Sequence, residues 1–186
     1  VKMSHLRAQV MQIYNQTKSY LKNPQPVSDN LLYGEFHENS KHTTRMPYME
    51  AVYDVLEKNH GKVIYFDFWA RWCPPCLTEM EPLKQLRSKF STNDLIIYSI
   101  CVSEPKEQWE ECLNEYSLKN CGIECVHVTD YLGIDNYQKI RKQWKIDRIP
   151  YYILINRKGQ IIDFGATARP SNPQLVSRIE DAVNSK

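Results

Sequence analysis

The stretch from Val63 to Met80 constrains this chain more than any other. Val63-Ile-Tyr-Phe-Asp-Phe-Trp69 is an almost unbroken aromatic and β-branched run, the pattern of a strand buried on both faces. Ala70-Arg-Trp72 then turns the chain, and Leu77, Met80, Leu83, Leu86 and Phe90 recur at helical spacing. Cys73-Pro-Pro-Cys76 sits on the junction, at the helix N-terminus. A proline in a first helical turn gives up only an N–H that has no helical partner. Unpaired N–H groups and the helix dipole favour an anion there, so a Cys73 thiolate is expected to be stabilised. Cys76, one turn on, lies on the same face and can close a short disulfide with Cys73. Strand, turn, Cys-x-x-Cys and helix together describe a dithiol redox centre.

Composition narrows the remaining choices. With 186 residues the chain fits one domain with additions. A net charge of +2 points to no nucleic-acid or other polyanionic partner. No apolar run approaches a membrane span. The opening Val1-Lys-Met-Ser-His reads as neither an initiator methionine nor a signal peptide, so a trimmed or processed product is expected. Six cysteines are too few for a disulfide-built scaffold. Beyond the central pair, Cys101 and Cys112 read as small buried hydrophobes. Cys121 and Cys125 flank Gly122 and could form a second disulfide.

Taken in order, residues 4–22 show an amphipathic helical stripe (Leu6, Val10, Ile13, Tyr14, Leu21), ended by Asn23-Pro-Gln-Pro26. A polar stretch to Arg45 holds His37 and His42, which read as solvated loop residues. A helix is expected near 47–58, a second buried strand over 95–102 and a helix over 105–118. A short strand at 125–128 and a helix over 137–144 follow. The apolar runs 149–156 and 160–164 flank a Lys-Gly turn and read as a hairpin, with a closing helix over 174–183. The expected fold class is α/β, a mixed central sheet flanked by helices. Two parts are expected: an N-terminal helix and polar linker over 1–45, and one domain over 46–186.

On three coincident features the chain resembles the thioredoxin superfamily: Asp67-Phe-Trp69-Ala-x-Trp72-Cys73-x-x-Cys76, the later Arg148-Ile149-Pro150, and the hairpin after that proline. Within it the chain looks most like the bacterial cell-envelope TlpA/ResA-type thiol–disulfide oxidoreductases. The extra helix before the first core strand, the insertion between Val102 and Tyr137, and Glu79 after the second cysteine carry that likeness. Asn156-Arg-Lys-Gly159 and Ala168-Arg-Pro-Ser171 add to it. The resemblance implies a thioredoxin fold with an N-terminal helical extension. It also implies disulfide reduction in envelope, periplasmic proteins without a cofactor beyond the Cys73–Cys76 disulfide. A membrane or thioredoxin-type electron donor would serve it.

Roles follow by position. Cys73 matches the exposed nucleophile and Cys76 the resolving cysteine. Pro150 matches the family's cis-proline, opposite the dithiol, and Ile149 would offer its main chain to a substrate peptide, with Trp72 and Pro74 beside it. A trans proline starting an edge strand is the plainer alternative. Asp67 matches a buried acid that helps deprotonate the resolving cysteine; the alternative is an aspartate bonded to nearby backbone. Glu79 matches a carboxylate that tunes the site in ResA-like members, although on a helix it could face water. The sequence also departs from the pattern. Pro82 falls one residue later than the family's helix proline, and the lysine that pairs with the buried acid is replaced near Ser99. Competing readings are an oxidase or isomerase on the same fold and a metallochaperone using Cys121, Cys125 and His127.

Overall fold

The protein's structure, a computed structural model, describes residues 47–102 and 105–185. The amphipathic helix expected over 4–22, the polar stretch with His37 and His42, and the boundary at 45/46 lie outside the described residues.

The run from Val63 to Trp69 forms β1, buried at every position. It pairs in parallel with β2 (Leu95–Cys101) and antiparallel with β4 (Tyr151–Ile155). β3 (Glu124–His127) extends the sheet beyond β2. β5 (Ile161–Phe164) extends it beyond β4, giving the order β3-β2-β1-β4-β5. β1 is thus the central strand, which explains why its sequence runs apolar instead of alternating.

A short 3-10 turn, Pro47–Met49, leads into α1 (Glu50–Lys58). After β1 come α2 (Pro74–Leu77) and α3 (Met80–Lys89), and after β2 comes α4 (Lys106–Glu115). α5 (Val128–Tyr131), α6 (Ile134–Gln143) and the closing α7 (Pro173–Asn184) complete the layers. Sequence periodicity missed α5 and the 3-10 turn Gly165–Ala168. Both are about one turn long, too short to display a helical repeat.

Successive β1 side chains serve two different layers. Phe66 and Phe68 join Tyr98, Tyr137 and Trp144 in an aromatic layer, with ring centroids 5.7–6.2 Å apart. Tyr65 and Asp67 point the other way, toward Tyr152 of β4 and the 3-10 turn, where the Tyr65 hydroxyl donates to the Ala168 carbonyl at 2.6 Å. One face is therefore dry and aromatic, and the other carries a polar cluster within a closed core.

The aromatic layer is expected to dominate stability. Phe66→Ala should lower the free energy of urea unfolding by about 3–5 kcal/mol, through lost burial and the cavity left behind. A loss under about 1 kcal/mol would show that this layer does not carry the fold.

Candidate active site

Where β1 ends, the Cys73 N–H donates to the Ala70 carbonyl at 3.1 Å, closing the turn expected at this junction. Cys73 is extended and caps α2, whose first two positions are Pro74 and Pro75. Cys76 follows and is bonded to Cys73, with Cα atoms 5.2 Å apart, within the ordinary range for a disulfide. Neither cysteine is open to solvent in this bridged state: Cys73 is 3% exposed and Cys76 1%. The exposure expected of Cys73 is thus not met in the bridged state. Trp72 and Pro74 around it form the surface, Trp72 being 63% exposed.

The single helix expected after the dithiol is interrupted at Thr78 and Glu79. Pro82 accounts for the break. A continuous helix would need its missing N–H to bond the Thr78 carbonyl, and its ring would crowd that group. Restarting at Met80 places Pro82 in the first turn of α3, where it is tolerated. The prolines at 74 and 75 also change the electrostatics read from sequence. They leave positions 74 and 75 without amide hydrogens, and the Cys76 N–H is already bonded to the Cys73 carbonyl at 2.8 Å. A thiolate at Cys73 therefore has fewer backbone donors than a helix start normally offers.

Asp67 is 3% exposed in the middle of β1, between Ser99 of β2 and Tyr152 of β4. The Ser99 hydroxyl donates to Asp67 Oδ2 at 2.9 Å. A neighbouring serine is thus its partner, where a lysine would stand in the family pattern. Burial pushes the Asp67 carboxyl up to about 7; the Ser99 hydrogen bond opposes this and the Glu79 carboxylate adds to it. The group can therefore hold or release a proton near neutrality, as an acid–base partner of a thiol must.

Glu79 does not face water. It lies in the break between α2 and α3, 6% exposed, with both oxygens engaged by one residue far along the chain. The Ser171 N–H donates to Oε2 and its hydroxyl to Oε1, each at 2.8 Å. Arg169 Nε lies 3.6 Å from Oε1, an ion pair too long for a hydrogen bond. Tyr152, its hydroxyl without a hydrogen-bond partner among the described residues, feels both Asp67 and Glu79. Burial and those two carboxylates push its phenol, like that of Tyr65, well above the ordinary range.

The Ile149–Pro150 bond is cis. Pro150 immediately precedes β4, whose first residue, Tyr151, pairs with Phe68 near the end of β1. The cis bond and the Cys73 turn therefore leave neighbouring strands at the same end of the sheet. Arg141 holds the approach to this segment through the Ile146 and Asp147 carbonyls, at 2.7 and 3.1 Å.

Residues 43–183 match the family model described as Redoxin. The chain belongs to the Redoxin family. It is similar to the thiol-disulfide oxidoreductase ResA of Bacillus thuringiensis, 26% identical over 108 residues, which is 58% of this chain and 57% of that protein. It therefore spans little more than half the length of that relative. A solved structure of a putative thiol-disulfide oxidoreductase from Bacteroides vulgatus is 34% identical, with a TM-score of 0.54, covering 68% of this chain and 76% of that one. The thioredoxin domain of another Bacteroides vulgatus thiol-disulfide oxidoreductase, 23% identical with a TM-score of 0.58 over 69% of this chain and 84% of that one, shares the fold. The thioredoxin fold and the ResA-type resemblance read from the sequence are both met.

Elsewhere in this Redoxin-family chain, Cys101 and Cys112 are fully buried thiols, as expected. Cys121 and Cys125 are free thiols and form no second disulfide. Both sulfurs point to the Leu118 carbonyl, at 2.9 and 3.8 Å, and burial pushes the Cys125 thiol up to about 12. Among the described residues no group of three His, Cys, Asp or Glu side chains is arranged to hold a metal ion. Sequence reasoning missed Arg169, Ser171 and Tyr152 as parts of the site. Ser171 reaches Glu79 across 92 positions, and no local pattern reports such a contact.

Two measurements check this geometry. A raised carboxyl pKa means that the folded protein binds the proton more tightly than the unfolded chain, so stability is greatest at low pH and falls between about 4 and 7. From a reference of 3.8 to about 7 the loss is on the order of 4 kcal/mol. Asp67→Asn should remove that decline and gain on the wild type between pH 5 and pH 8 in urea unfolding. An equal difference at both pH values would show that Asp67 is not neutral in the fold. Pro75→Ala restores an amide donor at the second helical position, so it should lower the Cys73 pKa by about one unit, equivalent to about 1.4 kcal/mol. The pH dependence of alkylation in the reduced protein reads that shift directly.

Proposed function

We propose that this chain is a thiol–disulfide oxidoreductase that reduces disulfides in partner proteins, with the Cys73–Cys76 pair as its redox group and no further cofactor. The observation that carries the reading is the bridged Cys73–Cys76 pair at the end of a central strand that also holds a buried acid poised near neutrality. In the reduced enzyme the Cys73 thiolate attacks one sulfur of a substrate disulfide, and the other sulfur leaves as a thiolate that takes up a proton. Cys76 gives its proton to Asp67 and attacks the Cys73 sulfur. The second substrate thiolate leaves and takes that proton from Asp67, and the Cys73–Cys76 bond closes. Two electrons and two protons reach the substrate, and the enzyme ends oxidised.

Ile149 and Pro150 form the segment against which an extended substrate peptide pairs, and exposed Trp72 and Pro74 flank the sulfur it must meet. Glu79 adjusts the charge around Asp67. The domain over 46–186 carries this activity. By kinship with ResA the setting is the bacterial envelope, with a membrane or thioredoxin-type donor restoring the dithiol and no nucleic acid involved. None of the described helices is long and apolar enough to cross a membrane. The metallochaperone reading has no assembled donor set to support it.

The test is a redox titration of the Cys73–Cys76 couple against glutathione, with Cys76→Ser used to trap partners. A reductase should equilibrate nearer to about −270 mV than to about −120 mV. The variant should accumulate mixed disulfides at Cys73 that Cys73→Ser lacks. A strongly oxidising potential would reassign the protein as an oxidase, and absence of any trapped species would remove the exchange mechanism.

A further inference from the structure

Two carboxyl groups share one buried polar cluster, and only one of them has the surroundings of an anion. Among the described residues Asp67 has a single hydrogen-bond donor, the Ser99 hydroxyl at 2.9 Å. Glu79 has two, both from Ser171 at 2.8 Å, one on each oxygen, with the Arg169 guanidinium 3.6 Å away. Donors to both oxygens together with a nearby cation favour the ionised form, whereas burial with one neutral donor favours the acid. Tyr65, Tyr152 and Cys125 also face Asp67, and Tyr65 and Tyr152 face Glu79 as well. Among these groups Arg169 is the one cation, and it acts on Glu79. Ser171 and Arg169 belong to the segment after the 3-10 turn, far along the chain from the break between α2 and α3 that carries Glu79.

We infer that Arg169 and Ser171 are positioning residues that keep Glu79 ionised beside Asp67, so that Asp67 retains its own proton and has it available to the dithiol. The inference rests on the oxidoreductase reading only for that last use; the placement of the proton stands apart from it. A negative Glu79 raises the proton affinity of Asp67, in the same direction as burial. Without the clamp, the buried Glu79 carboxylate would lose both its donors and its cation; a proton taken up there would remove its charge, and Asp67 would ionise at lower pH. The segment from 169 to 171 thus sets the pH at which the site exchanges a proton, although neither residue touches sulfur chemistry itself.

Isotope-edited infrared spectroscopy of the oxidised protein, with labelled aspartate or labelled glutamate, reads each carboxyl without any exchange reaction. At pH 6 the wild type should show a protonated buried aspartate that Asp67→Asn abolishes, and an ionised Glu79. In Arg169→Gln with Ser171→Ala, a protonated glutamate should appear that Glu79→Gln removes. The Asp67 titration should shift down by about one pH unit, as it should in Glu79→Gln alone. Ser171→Thr, which keeps both donors, should behave as the wild type, and the clamp substitutions should add nothing in a Glu79→Gln background. A protonated Glu79 in the wild type overturns the inference, and that spectrum requires no clamp variant to fold. An unchanged Asp67 titration in the clamp variants overturns it too. A normal titration in a protein that fails to exchange disulfides would sink the oxidoreductase reading and leave this one standing.

Discussion

Placing a carboxyl group in the central, fully buried strand of the sheet is costly, and the polar groups around it answer that cost. An ionised carboxylate surrounded by apolar side chains is strongly disfavoured unless it is paired or gives up its charge. Among the described residues Asp67 has a serine hydroxyl as its hydrogen-bond partner, and burial keeps its proton on up to about neutrality. The strand around it cannot move to reach water, because it is held on one side by β2 and on the other by β4. The fold thereby fixes the chemistry of the acid as well as its place.

The second carboxyl arrives by a different route. Pro82 prevents one continuous helix after the dithiol, and the resulting break at Thr78 and Glu79 turns Glu79 into the core. There it meets backbone and hydroxyl donors from a segment near the far end of the chain. A proline that ordinarily marks a helix boundary thus has a consequence for charge several residues away. The prolines at 74 and 75 act in the opposite sense on Cys73, by withholding amide hydrogens from its thiolate.

Most of the fold was legible because its signals are local. The apolar run of β1, the hairpin around Lys158-Gly159 and the amphipathic closing helix each carry their own periodicity, and the structure places them within a few residues of expectation. The dithiol was legible for the same reason. What escaped were contacts between distant segments. The Ser171 hold on Glu79, the place of Tyr152 beside Asp67 and the burial of Cys73 depend on how strands and turns converge. The fate of Cys121 and Cys125 was illegible too, since spacing permits a bond whose formation depends on where the two sulfurs point.

The nearly covered sulfur of Cys73 has a consequence for traffic through the site. Under the proposed function the bridged state is the one that would meet a reductant. In that state small soluble thiols find only a 3% opening at Cys73, and exchange rates depend on access as much as on acidity. In the proposed reductase, this cover would tie the rate of exchange with a thiol to how readily the surrounding surface opens.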